Sequence, residues 1–325
     1  MAKNLWIFAE QNGGVIAPSF YEILTKAKAV YAGATDTPCF TAVVLGGGRA
    51  AVEALKQSGV DRVCAVSDER LDAYNPACST AVLAAMAEAY HPDILLVAAS
   101  AQGAELAPGV SARLKTGLAA HCTELKLDDA EELHMIAPAF GGKLMGEYVI
   151  PSCRPVMASI KPGVFESCPQ PAKEAEVIAF DASDILNAQF GIELVDSEAV
   201  VETELPIEKA EVLVCAGLGS AITGNLEKVR ELAKRLGASL CYTRPLADLG
   251  YMPNEHSMVG TSGKTVKPKI YIGFGVSGAA QHVCGMKDSG MIFNVNSDAE
   301  ADSFKISNYK VVADCGAILD EMLKQ

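Results

Sequence analysis

The sequence predicts an α/β protein made of two doubly wound parallel-sheet domains. Three observations carry that prediction. Short runs of β-formers alternate with helical stretches of roughly 10–15 residues, the pattern of parallel strands joined by crossover helices. The alternation breaks between Pro171 and Glu211, where acidic residues crowd a segment without periodicity. Five further strand-like runs follow that break, most of them separated by helices. A chain of 325 residues also suits two domains. The composition shift, with Pro206 near its end, places the boundary so that residues 1–205 form the first domain and 206–325 the second.

In the first domain, residues 4–10 read as a strand, followed by Gly13-Gly14 and a helix over 19–32. A second strand over 40–45 runs into Gly46-Gly47-Gly48, and Arg49 begins the next helix. A triple glycine after a strand either cradles phosphate or simply links strand to helix. A strand over 62–66, a helix over 79–90 and a strand over 93–99 continue the pattern. His91, with Pro92 after it, reads as a helix terminus, and His256 as a solvated loop residue. Neither is assigned to chemistry. In the second domain the strands fall at 211–215, 239–243, 269–274, 291–295 and 309–313. Ligands of such sheets sit beyond the carboxyl ends of the strands, near a topological switch point. Gly217, Arg244, Ser277, Asn296 and Asp314 all lie just past those ends.

Half of the residues are hydrophobic and 21% are charged, enough to bury a sizeable core. A net charge of −13 argues against nucleic acid or an anionic membrane surface as partner. The ten cysteines are scattered singly without a Cys-x-x-Cys pair, which gives no support for zinc or iron–sulfur ligation. Several lie inside apolar runs, as reduced core cysteines do. The chain begins directly with a strand and shows no signal peptide, Arg-rich transit segment or apolar run of 18 residues. The expectation is a cytoplasmic protein without a metal.

The densest chemistry lies between Val259 and His282, V-G-T-S-G-K-T-V-K-P-K-I-Y-I-G-F-G-V-S-G-A-A-Q-H. Two glycine-rich turns flank one buried strand. The first carries the hydroxyls of Thr261 and Ser262 and the amine of Lys264. In the second, Gly275 and Gly278 allow a tight turn, and Ser277 is placed to cap a helix starting near Ala279. A strand, a glycine turn and a helix start together present backbone N–H groups to an anion, most often a phosphate.

This string, continued through V-C-G-M, closely resembles the FAD-binding signature of electron transfer flavoprotein α subunits, roughly VGQTGKxVxPxLYIAxGISGAIQHLAGM. Residues 294–301 are similar to that family's AINKDPEAP, residues 309–314 to its DYGIVGD, and Arg244-Pro245 with the Asp248–Pro253 stretch to its RP…D…GW-P segment. In the first domain, residues 105–125, 137–142 and 156–165 resemble further family segments, with His121 in place of Asp and Ala137 in place of Arg.

The resemblance implies one FAD in the second domain. It sets Val259, Gly260, Thr261 and Ser262 in the VGQT segment, with the Ser262 hydroxyl toward flavin N5. Ser277, Gly278, Ala279, Ala280, Gln281 and His282 would run along pyrophosphate and ring, His282 reaching the N1/O2 side. Arg244 would lie over the ring with Thr243 before it, and Asn296, Asp314 and Cys315 would stand at the adenosine. Leu218 departs from a G-R-G turn, so one positive contact to the cofactor is missing. Alternative readings are a helix-cap charge for Arg244 and a core histidine satisfied by backbone for His282. The family's implied partners are a β subunit carrying AMP or a second FAD, and a flavin-dependent dehydrogenase, acyl-CoA or related. The implied role is that of an electron carrier between this dehydrogenase and an acceptor, electron-bifurcating in some forms, without a nucleophile–base catalytic set. Two other readings stay open at this point: a nucleotide-binding α/β protein without a redox role, and a self-sufficient flavin oxidoreductase.

Overall fold

The structure, a computed structural model, describes residues 3–140, 144–168, 173–188, 190–192, 194–196, 205–252 and 257–324. It divides into two compact units, Met1–Ser197 and Glu198–Gln325. The sequence-based boundary at 205/206 adjoins residues 197–204, and both those residues and His256 lie outside the described ones. Among the described residues no helix is long and apolar enough to cross a membrane.

The first unit is built on a seven-stranded, all-parallel sheet. Its spatial order is Glu176–Ala179, Arg62–Val66, Cys39–Leu45, Asn4–Phe8, Ile94–Ala98, Val156–Ile160 and Leu118–Cys122. Both faces are covered, so the central strands bury every other side chain on opposite sides. Leu5 and Ile7 belong to one apolar core, Trp6 and Phe8 to the other. That two-sided burial is why these strands read as continuous apolar runs. His91 ends the Pro76–Tyr90 helix in a left-handed conformation, φ 47°, as expected of a terminus.

Two features of this unit differ from the sequence reading. The Glu176–Ala179 edge strand lies in the stretch whose composition suggested a linker, and pairs with Arg62–Val66. A three-stranded antiparallel sheet, Glu124–Leu127, Leu133–Ala139 and Leu144–Tyr148, adds to the parallel one. Its middle strand turns Leu133, Met135 and Ala137 into the core. Ala137 is therefore a packing residue here. His121 sits at an irregularity of the Leu118–Cys122 strand with φ 54°, its N–H donating to Ser159 Oγ at 3.0 Å.

The second unit holds five parallel strands in the order Ser239–Tyr242, Val212–Ala216, Ile270–Phe274, Met291–Asn296, Tyr309–Val312. Leu226–Arg235 and Cys315–Met322 are its longest helices, and both pack against the strands of one face. The chain runs outward from Val212–Ala216 to one side and then to the other, so the switch point lies between that strand and Ile270–Phe274. Strand residues alternate between two cores here too: Val214 and Ala216 join one, Leu213 and Cys215 the other.

Candidate functional site

At the carboxyl ends of these strands, spanning the switch point, opens a cavity of about 780 Å³. That is within the range of small-molecule sites, roughly 300–1,000 Å³. Five segments make its wall, residues 218–222, 243–248, 259–262, 275–282 and 296–302, and close backbone approaches among them explain the glycines. Gly217 and Gly275 lie so close that a Cβ on Gly217 would stand 2.1 Å from the Gly275 carbonyl oxygen. Gly219 N donates to that same oxygen at 3.1 Å. Leu218, between these two glycines, borders the cavity while half-buried against the apolar core.

The two turns read from the sequence are stitched together. Thr261 N donates to the Gln281 carbonyl at 2.9 Å, and Gly260 has φ 140° with that carbonyl pressed against it. Val259 N donates to Tyr242 O, which ties the first turn to the Ser239–Tyr242 strand. Thr243 N in turn donates to Ala216 O, and Arg244 follows at the start of a short helix. The Arg244 guanidinium reaches the Ser262 hydroxyl at 3.3 Å and the Asp248 carboxylate at 3.5 Å. Arg244 thus pairs within its own helix and also reaches Ser262 on the first glycine turn.

The second turn differs from expectation in one respect. The helix is short, Ala280–Val283, its N-cap is Ala279, and no side chain caps it. Ser277 leaves its hydroxyl exposed and uses its carbonyl to accept from Ser303 N at 3.1 Å. Among the described residues, the N–H groups of Ser277, Gly278, Ala279, Ala280 and Gln281 have no protein acceptor. Five successive unpaired donors beside a cavity make a place for an anion.

His282 borders the cavity yet is only 6% exposed. Its Nδ1 lies 3.0 Å from the Val259 carbonyl and its Nε2 lies 2.8 Å from the Tyr271 hydroxyl. Burial lowers its pKa, but the Cys215 thiol and the Val259 carbonyl outweigh that and leave it above the usual imidazole value. Asn296 lines the wall as a brace: Nδ2 donates to Val276 O at 3.0 Å and Oδ1 accepts from Asp298 N at 3.1 Å. Asp314 and Cys315 do not line the cavity. Asp314 caps the Cys315–Met322 helix by accepting from Ala317 N, and Cys315 is buried. Ala280 is exposed and is not among the lining residues.

The structure adds wall residues the sequence reading did not single out: Gly219, Val276 and the carboxylates Asp248, Asp298, Glu300 and Asp302. The Gly-Leu-Gly spacing was the available signal for the first of these. Asp248, Asp298 and Glu300 lie inside the stretches that resemble the family, but no role was read for them.

A second concavity of about 460 Å³ lies in the first unit at the ends of Asn4–Phe8 and Cys39–Leu45. Gly46, Gly47 and Gly48 all have positive φ, but Gly47 N donates to Asp72 Oδ1 at 2.8 Å. The protein's own carboxylate takes the anion position of this glycine turn. Gln11 is likewise bonded at both ends of its amide, and Tyr74 donates to Gln102 O. Among the described residues no group of three or more His, Cys, Asp or Glu is placed to hold a metal ion.

Comparison with known proteins shows the family. Residues 5–185 match the family described as "Electron transfer flavoprotein domain", and residues 206–287 match "Electron transfer flavoprotein FAD-binding domain". "Protein FixB" of Clostridium saccharobutylicum is 35% identical over 324 residues, covering 99% of this chain and 96% of that protein. The "Electron transfer flavoprotein subunit alpha" of Clostridium acetobutylicum is 34% identical over 332 residues, covering 99% and 96%. "Lactate dehydrogenase (NAD(+),ferredoxin) subunit LctC" of Acetobacterium woodii is 30% identical over 324 residues, covering 99% of this chain and 76% of that protein. The chain belongs to the electron transfer flavoprotein α-subunit family, and is an FAD-binding protein of electron transfer.

Proposed function

We propose that residues 206–325 hold FAD in the 780 Å³ cavity, with residues 1–205 forming the face for a β subunit in a cytoplasmic αβ complex. The observation that carries the placement is the row of N–H groups without protein acceptors from Ser277 to Gln281, beside a cavity that Arg244 and Ser262 also line. A pyrophosphate suits that row. The ring then lies toward Arg244, Ser262 and His282. The adenosine extends past the Asn296 brace toward the Asp314–Cys315 helix start. When bound, the flavin supplies the electron-accepting and electron-donating chemistry. The chain's own groups bind it, orient it and set the charge around it.

The docking partner in this reading is a flavin-dependent dehydrogenase, and the β subunit carries AMP or a second FAD. A relative named as a subunit of an NAD- and ferredoxin-linked lactate dehydrogenase supports a dehydrogenase partner. The test is to quantify flavin released from the αβ complex and to locate each molecule in a structure of it. Flavin found only in β, with this cavity empty, rejects the placement.

Ser262 gives a sharper check. Ser262→Ala removes the hydroxyl that Arg244 contacts and that faces N5 in this reading. The expected outcome is a shifted flavin midpoint potential with FAD stoichiometry retained. Ser262→Thr keeps the hydroxyl and behaves close to the parent chain. An unaltered redox titration for the alanine variant removes Ser262 from N5.

A further inference from the structure

Behind the cavity wall lies a polar cluster that the placement of FAD does not use. Tyr271 is fully buried on the Ile270–Phe274 strand, and its hydroxyl stands 2.8 Å from His282 Nε2. Cys215, on the neighbouring strand, places Sγ 4.0 Å from the same nitrogen. Cys241 is paired with Cys215 across the sheet. The other side chains of this core are apolar: Ile207, Leu213, Val266, Val276, Met286 and Ile292 among them. Leaving a buried tyrosine hydroxyl without a partner is costly, and the partner of Tyr271 is the histidine at the cavity wall.

We propose that Tyr271 is a positioning residue for the flavin site: its hydroxyl and the Val259 carbonyl grip the two nitrogens of His282 and hold the ring in one orientation behind the cavity wall. The inference rests on the reading that FAD lies against His282. Val259 offers only an acceptor, so Nδ1 carries a proton in every charge state of the ring. Nε2 is the variable position. It accepts from the Tyr271 hydroxyl when the ring is neutral and donates to it when the ring is charged. Burial disfavours charge on Cys215, yet its Cys241 and His282 contacts hold the thiol below its usual range, and Cys215 in turn raises His282. Tyr271 itself is kept neutral by burial.

The grip needs residues far apart in the chain. Val259 sits in one glycine turn, His282 follows the other, and Tyr271 lies on the strand between them. The bond Thr261 N to Gln281 O closes the two turns on each other and sets the distance between Val259 and His282. Without the Tyr271 hydroxyl, Nε2 keeps the Cys215 sulfur as its polar neighbour among the described residues, at 4.0 Å. That contact is too long to hold the ring plane. The imidazole would then exchange between orientations, and its effect on the flavin would weaken.

The experiment uses the αβ complex and compares the parent chain with Tyr271→Phe, His282→Ala and, as a control for loss of a buried tyrosine hydroxyl elsewhere, Tyr31→Phe. Nitrogen-15 spectra of histidine-labelled, FAD-stripped complex read the proton on His282 Nδ1 directly. The expected parent result is a slowly exchanging Nδ1–H, which Tyr271→Phe broadens or shifts and Tyr31→Phe leaves alone. In the FAD-loaded complex, Tyr271→Phe lowers the one-electron reduction equilibrium of the flavin by up to about tenfold, a 59 mV shift. His282→Ala lowers it in the same direction, and Tyr31→Phe does not. If His282→Ala shifts the potential while Tyr271→Phe alters neither spectrum nor potential, the positioning role of Tyr271 is wrong and the flavin placement stands. If the spectrum responds to Tyr271→Phe but neither variant moves the potential, His282 does not face the flavin and the proposal falls with that reading.

Discussion

Leu218→Arg tightens FAD binding about ten- to hundred-fold, the worth of one charge-assisted hydrogen bond of about 1.5–3 kcal/mol. The expectation comes from the charge of the cavity. Asp248, Asp298, Glu300 and Asp302 line it, while Arg244 is the one arginine or lysine among the described lining residues and is already engaged by Asp248. A pyrophosphate entering here meets donors from the backbone but little positive charge. Residue 218 opens the Leu218–Ile222 helix directly beside Gly275 and the anion-facing turn. An arginine there can leave its aliphatic stem on the apolar core that Leu218 now covers and extend its guanidinium into the cavity. Titrating FAD into stripped αβ complex at low and high salt checks this, and the advantage should shrink as salt rises. Equal or weaker binding would mean that position 218 points its side chain into the core and not at the cofactor.

The centre of the second unit was legible because Val212–Ala216 and Ile270–Phe274 are largely buried and run into the glycine turns at Gly217 and Gly275. The five strands read from the sequence agree with the structure to within a residue or so at each end. Legibility failed where pairing is non-local and burial is low. Glu176–Ala179 is a half-exposed edge strand held by its register with Arg62–Val66 and by the Arg62–Glu176 ion pair, neither of which leaves a local pattern. The antiparallel strands from Glu124 to Tyr148 pair locally, but Leu144–Tyr148 is mostly exposed and leaves no apolar alternation to mark it.

At the site, the glycines announced themselves because only glycine tolerates their backbone approaches. The role of Ser277 was misread because cap residues and free turn residues look alike in sequence. The His282 environment was half legible. The alternatives were a core histidine satisfied by backbone and a histidine reaching the flavin N1/O2 side. Nδ1 does meet the Val259 carbonyl, while the ring also borders the cavity. A further contact is with Tyr271, eleven residues away, and no local spacing reveals it.

The largest loss is expected from Gly278→Ala. Gly278 has φ 88°, a region that side chains rarely adopt, and a Cβ there would meet Ser303 N at 2.0 Å. That neighbour is backbone, and its N–H is the donor to the Ser277 carbonyl, so it cannot swing aside as a flexible side chain would. Either the Asp302–Ile306 segment moves away from the turn, or residue 278 leaves its left-handed conformation. Both break the Ser277–Ser303 bond and scatter the N–H row from Ser277 to Gln281. Backbone strain of this kind costs about 1–3 kcal/mol before the overlap is counted. A combined cost above about 3 kcal/mol lowers FAD affinity more than a hundredfold. Gly13→Ala is the matched control: φ is positive there too, at 56°, but nothing lies within 4 Å of the added Cβ. It should lose about 1 kcal/mol of stability and no FAD. The measurement is flavin per complex after gel filtration, with melting of stripped and loaded samples. A Gly278→Ala complex that keeps FAD at the parent affinity would show that the 277–281 turn is not what holds the pyrophosphate.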